Sequence, residues 1–439
     1  MKTATKEISP REEDDKENDD KWAEKISENR SSNGRIHSRS DSNTNEIAYK
    51  NLAYAMLIPV LSLLTSTGVT MIPQHNIFQH PGYWYEVIIP YATALIPAIV
   101  ILTAFRVKVW FKEMEFRMTT WIKMFSTNFF VVTIVIFLTR FIWTDYLGYI
   151  YPIPWLYFII VLGWSPFQVM SIYYIFPKGH REDLVARKTI IWFIAYNVVF
   201  LMACGERLFV ILLFISTPIQ FQPIWAIGLP IWKELETRLL NKLMLKTTDD
   251  TNRDAKILTN LENTCNHTAV AAITLGIYAT DLSSYSILLV DLLSKLYACY
   301  GICKMNKKIG NSKEGARKAL QKAQMEDTQD LILEELVEVM MPFVYVSMIL
   351  FAYYGPNSSI LGNVGCEKWK WTKITDMTRF LTALFRMFAI DLLALSLNML
   401  ILWKFSSVNV MKQLCIDVRK YWPFISVAMG GAVMKVSII

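Results

Sequence analysis

The chain has 439 residues, of which 53% are hydrophobic, 13% aromatic and only 19% charged. That balance excludes a mainly disordered or collagenous chain and does not fit an ordinary soluble protein of this size. The charge is unevenly placed: residues 1–50 hold 10 Lys/Arg against 12 Asp/Glu, and the other 389 positions hold 35 against 26. Several apolar stretches there exceed the roughly 20 residues that cross a bilayer as a helix. The expected class is therefore all-α: a polytopic transmembrane helix bundle over 51–439, with about nine to eleven membrane segments, preceded by a disordered, charged, cytosolic tail over 1–50. The tail mixes Lys, Glu, Asp, Ser and Asn without periodicity and has too little apolar surface to offset its ordering entropy.

The positive-inside rule orders the spans. The first is expected at 51–71, followed by a Lys/Arg-free exterior loop over 72–83. The second, 84–105, runs into Arg106, Lys108, Lys112, Arg117 and Lys123, an interior signature. A third at 124–143 leads to another Lys/Arg-free loop, and a fourth at 155–176 returns to Lys178, Arg181, Arg187 and Lys188. Tyr83, Trp84, Tyr149, Trp155, Trp369 and Trp371 fall at exterior ends, as an interfacial aromatic belt would.

Residues 189–232 are read as two helices, 188–204 and 208–232, joined by an exterior turn at Gly205-Glu206-Arg207. Residues 266–303 have basic flanks on both sides, so they are read as a short hairpin or re-entrant pair between interior loops. A rival arrangement makes 189–218 one span and 266–303 another, with 233–264 outside. The remaining spans are expected at 331–354, 376–404 and 421–438. The loop 355–375 would be exterior and holds the sequon Asn357-Ser-Ser, a glycosylation candidate. A second sequon, Asn266-His-Thr, abuts a span.

Ionisable groups inside hydrocarbon are costly, so each is a candidate for function. At about 100° per residue, Asp281, Ser284, Asp291 and Lys295 share one arc of a helix. They are pathway or ion-pair candidates, with Asp291 and Lys295 at i, i+4 placed to pair. Asp291-Leu-Leu-Ser-Lys295 resembles the D-x-x-x-K element around the retinal lysine of microbial rhodopsins. Several spans follow it, however, and the third helix has no mid-span carboxylate to act as counterion, so no cofactor is expected. Arg386 and Asp391 on 376–404 point too far apart to pair with each other and should seek neighbouring helices. Glu334, Glu335 and Glu338 are read as a cytosolic vestibule at the mouth of 331–354. Pro218, Pro223 and Pro230 are hinge candidates in a broken helix.

The six cysteines show no zinc or redox spacing, so no metal is expected, and no catalytic residue is assigned because hydrolase, zincin, Walker and dinucleotide motifs are all missing. The expected function is transport or conduction of a small solute or ion. The alternatives are a non-catalytic membrane scaffold or receptor-like protein and, third, an intramembrane lipid-modifying enzyme. Expected partners are the lipid bilayer, with anionic lipids at the basic loops 106–123 and 304–322, and a further copy of the chain in a homo-oligomer. No nucleic-acid partner is expected.

Overall fold

The computed structural model describes residues 59–60, 98–111, 118–148, 156–247, 252–275, 281–354, 377–405 and 410–437. The tail 1–50, the first span, the loop 72–83, the aromatic belt and Asn357 lie outside them. Among the described residues the protein is all-α, with no strand. Helix α1 covers 98–110. It is followed by α2 (Met118–Arg140), prolonged by a π-helical stretch Phe141–Tyr146, then α3 (Leu156–Ile175) and the short α4 (Lys178–Glu182). Next come α5 (Leu184–Ser216), a 3-10 stretch Ile219–Ile224, α6 (Trp225–Leu245) and α7 (Arg253–Ile273). The chain continues as α8 (Asp281–Gly310), α9 (Glu314–Tyr354), α10 (Met377–Phe405) and α11 (Val410–Ser437).

By length and composition, four helices can cross a membrane: Met118–Arg140, Leu184–Ala203 within α5, Asp281–Gly310, and Phe380–Phe405 within α10. Their outer faces agree with that reading. On α8, Leu282, Tyr285, Leu289, Leu293 and Tyr297 recur at helical spacing and are all exposed. On α2, Phe129, Phe130, Phe137 and Leu138 do the same. Contiguous apolar faces of this kind mark a membrane or protein interface.

Side-chain contacts fix how the helices run. Lys246, just past the end of α6, lies over the Trp192 ring near the start of α5, at 4.2 Å from its centroid, so α6 folds back on α5. Asn241 to Asn260, Thr237 to Asn263 and Glu236 to His267 descend against one another, so α7 folds back on α6. The pairs Asp281–Arg386, Lys295–Asp391 and Asn306–Phe405 rise together, which makes α8 and α10 parallel.

The polar helix α7 holds the centre. Its residues Thr259, Asn260, Glu262, Asn263, Thr264 and Asn266 are all buried, against α5, α6, α9 and α11. A helix walled by other helices never meets lipid, so it can be polar provided each group is hydrogen-bonded. Asn263 donates to the Thr237 hydroxyl at 2.6 Å, and Thr259 and Thr268 donate to carbonyls four residues back. Asn266 donates to the Glu262 carbonyl at 2.8 Å, which keeps that sequon inside the fold.

Two expectations about boundaries are corrected. No turn occurs at Gly205-Glu206-Arg207, because α5 runs through it as one helix of 33 residues, as the rival arrangement had it. The reversal comes instead at Pro218, where a residue without an N–H cannot continue the helix. Trp225 Nε1 closes that turn by donating to the Thr217 hydroxyl at 3.0 Å. The second correction concerns the bounds of 266–303: its first arm begins earlier, since α7 runs Arg253–Ile273, and its second is α8, Asp281–Gly310, both packed on α6 and α9.

The basic end of the bundle is built by specific bonds. Asn252 caps α7 and donates to the Val109 carbonyl at 3.0 Å. Arg253 binds Asp330 on α9 at 2.6 Å, and Asp254 accepts from Lys420 and Tyr421 on α11 at 2.5 and 2.7 Å. Residues 109, 252–254, 330 and 420 therefore lie on one side of the cavity-lining residues, at one level of the bundle.

Candidate functional site

Four helices converge on Lys295. It lies fourteen residues into α8, about 21 Å along the axis. Its Nζ is 2.6 Å from Asp291 Oδ2, 2.8 Å from Glu338 Oε2, 3.0 Å from Asp391 Oδ1 and 3.7 Å from Glu335 Oε2. Its side chain is only 8% exposed. Lys233 reaches in from α6, with its Nζ 2.9 Å from Glu338 Oε1 and 3.8 Å from Glu334 Oε2. Glu338 thus joins both ammonium groups, one to each oxygen.

Helical spacing explains this convergence. Glu334, Glu335 and Glu338 fall within about 100° of one another on α9, with Glu338 between the other two. Asp391 and Asn398, seven apart on α10, share a face, and Asn398 Nδ2 donates to Glu335 Oε1 at 3.0 Å. Pro342 lies inside α9 four residues after Glu338, so the Glu338 carbonyl cannot receive its usual helical donor.

These residues line a cavity of about 370 Å³. Its wall holds six carboxylates (Glu234, Asp291, Glu334, Glu335, Glu338 and Asp391) against Lys233 and Lys295, together with His267; Glu234 stands at the mouth, paired with Arg238. The lining reaches the surface between α6 and α8 at Trp232, Glu234, Ser294 and Ala298. Elsewhere it is apolar, built from Leu229, Val270, Leu275, Ile287, Leu288 and Met387. Among the described residues, Glu335 Oε2 and Asp391 Oδ2 accept no hydrogen bond, although these residues are 1% and 2% exposed. Asp291, Glu338 and Asp391 each bring a carboxylate oxygen within 4.8 Å of the others, a spacing one metal ion can bridge. The Lys295 ammonium contacts the same three carboxylates.

The candidates named from the sequence divide between this cavity and other places. Asp291, Lys295, Asp391 and the three glutamates come together in it. The glutamates are not at a solvated helix start, since α9 begins twenty residues before Glu334. Asp281 is exposed at the other end of α8, 2.7 Å from Arg386, whose guanidinium lies over the Tyr285 ring. Ser284 is buried outside the cavity lining, and its hydroxyl has no partner among the described residues. Pro218 and Pro223 shape the α5–α6 break, and Pro230, inside α6, lines the cavity.

Sequence reasoning missed three contributors. Lys233 was counted in the basic flank of 266–303, whereas it lies eight residues into α6. Arg106 was assigned to a basic loop but is buried. Its Nε and Nη2 both donate to Glu262 Oε2 on α7, its Nη1 donates to Asn197 Oδ1 at 2.6 Å, and it lies over the Phe200 ring at 4.6 Å. His267 and Glu236 meet at 2.5 Å between α7 and α6. Glu262 and His267 share a helix too polar to register as a span, which is why no hydropathy reading finds them. No protein-family model, curated protein or solved structure matches the chain.

Proposed function

We propose that this is a multi-pass membrane protein that carries or conducts a small cationic solute, with the cavity between α6, α8, α9 and α10 as its path. One observation carries the reading: six carboxylates line a single cavity with two lysines, and two buried carboxylate oxygens accept no hydrogen bond among the described residues. A buried charge is tolerated where it is paired or where a cavity admits water or a cation. The surplus of negative charge here fits a visiting cation. If the expected span 51–71 is added to α1–α3 and α5–α11, with α1 as the end of the second expected span, the count is eleven crossings, and alternation about the basic end supports a cytosolic tail 1–50. Lys304, Lys307 and Lys308 at the same end would meet anionic lipid.

The test is tracer uptake into proteoliposomes under an inside-negative potential, with rubidium, sodium and methylammonium as probes. At least one should accumulate above empty vesicles, and Asp391→Asn should lower its rate about tenfold, the effect expected for one charge-assisted contact. Uptake no greater than that of empty vesicles for all three would contradict the proposal. A second reading, a non-catalytic scaffold or receptor-like protein, is favoured by the tightness of the Lys295 contacts, three of them at 3.0 Å or less. On that reading the lysine only ties α8 to α9 and α10.

A further inference from the structure

The cavity has two unlike parts. One wall is acidic and already receives a primary ammonium: Lys295 Nζ lies at hydrogen-bonding distance from carboxylates of Asp291, Glu338 and Asp391. Beside that ammonium, Asp391 Oδ2 and Glu335 Oε2 have no donor among the described residues, and both residues are almost wholly buried. The rest of the wall is aliphatic, and the whole encloses about 370 Å³. A bare metal ion would use a small fraction of that volume and none of the aliphatic surface. Cavities of roughly 300–1,000 Å³ with a few convergent polar groups are the kind that take small organic molecules. The mouth between α6 and α8 bears Trp232 and lies beside the outward apolar face of α8, so an amphipathic solute meets a graded surface on the way in.

We propose that the cavity binds a small organic amine with an apolar body. Its ammonium is received by Asp391 Oδ2 and Glu335 Oε2 next to Lys295, and its body lies on Leu229, Val270, Ile287 and Met387. This rests on the reading of the cavity as a cation path and names the class of cation. Lys295 then serves as a tethered internal cation: it holds the carboxylates in place before the ligand enters and limits how much further positive charge they accept. Desolvated carboxylates arranged in advance lose little in reorganisation when the amine arrives.

The test is equilibrium binding to the purified full-length protein in lipid nanodiscs, with radiolabelled phenethylamine as probe. Binding should be saturable and competed by unlabelled phenethylamine, but not by the isosteric, neutral phenethyl alcohol. Glu335→Gln, which retains an acceptor for Asn398, should weaken binding about tenfold. Ala271→Phe places a ring in the aliphatic part of the cavity and touches no charge. It should abolish phenethylamine binding while leaving the elution and melting profiles unchanged. No saturable binding to the wild type, or equal competition by the alcohol, overturns the proposal. Saturable binding of calcium alone overturns it too, and assigns the carboxylates to a metal. Tracer flux without amine binding would sink this inference and leave the cation path standing; amine binding without flux would do the reverse.

Discussion

Lys295 on α8 and Asp391 on α10 meet at 3.0 Å across 96 residues of sequence, both buried, and that contact brings the charges of four helices to one point. Asp291, the nearer partner in sequence, is half-exposed and sits at the edge. The two acids should therefore behave differently on mutation. Asp291→Asn should cost under about 1 kcal/mol, as exposed pairs do. Lys295→Met leaves buried carboxylates facing one another and should cost roughly 3–5 kcal/mol. Thermal unfolding in detergent measures both, and adding Asp391→Asn to Lys295→Met should restore part of the loss. A large effect at Asp291 with none at Lys295 would contradict the geometry.

A second buried pair ties α1 to α7: Arg106 donates through Nε and Nη2 to Glu262 Oε2 at the centre of α7. Arg106→Met strands Glu262, which is 1% exposed, and should destabilise by roughly 3–5 kcal/mol, whereas Lys108→Met two residues on, which is exposed, should stay within about 0.5 kcal/mol. The readout is the melting temperature of the two variants under one set of conditions.

Asp417 gives a pH dependence. It lies on α11 ahead of the 421–438 span. It accepts from Gln329 at 2.5 Å and from Gln413 at 3.0 Å, and burial raises its carboxyl to about 6 from the ordinary 3.8. Because the folded value lies above the unfolded one, its stabilising contribution is complete below the unfolded pKa, near 4, and is lost as pH rises through about 6. Melting of wild type should fall across that window, and Asp417→Asn, which has no proton to lose, should flatten the fall. Equal slopes in the two proteins would count against this assignment.

The sidedness of the α6–α7 turn is the next expectation. Asn252 and Arg253 are bonded to Val109 and Asp330, so a protease site inserted at 248–251 should be cut from the same side as one in the 304–322 region. Labelled cysteines in sealed vesicles provide the same comparison. Cleavage of the two insertions from opposite faces would overturn the shared end.

How much of this could be read from sequence depends on what surrounds each residue. Apolar helices advertise themselves: α2 and α10 match the expected spans 124–143 and 376–404 closely, whereas α8 was merged into the 266–303 pair. Asp291, Lys295 and Asp391 stood out for the same reason, as charges in apolar helices. Helix α7 was hidden because its environment is other helices, and Asn263 and Glu262 bond to partners on α6 and α1 that no local pattern reveals. The charge step Glu206-Arg207 resembled a turn, yet α5 continues through it and ends only where Pro218 removes a donor. The grouping of Glu338 with both Lys233 and Lys295 depends on three helices meeting, which spacing along one helix cannot supply.

The central claim is that a cation passes through this cavity, and blocking the cavity tests it most directly. Ala298 lines the mouth and is exposed, so Ala298→Cys can be modified there by a positively charged methanethiosulfonate. Tracer uptake into proteoliposomes should match wild type before treatment and fall about tenfold after it, and a reducing agent should restore it. Both proteins carry Cys204→Ala and Cys366→Ala, and the parent without Ala298→Cys should be unaffected, since Cys265 and Cys299 are buried and Cys303 and Cys415 do not line the cavity. Undiminished uptake by the fully modified variant would contradict passage through the cavity.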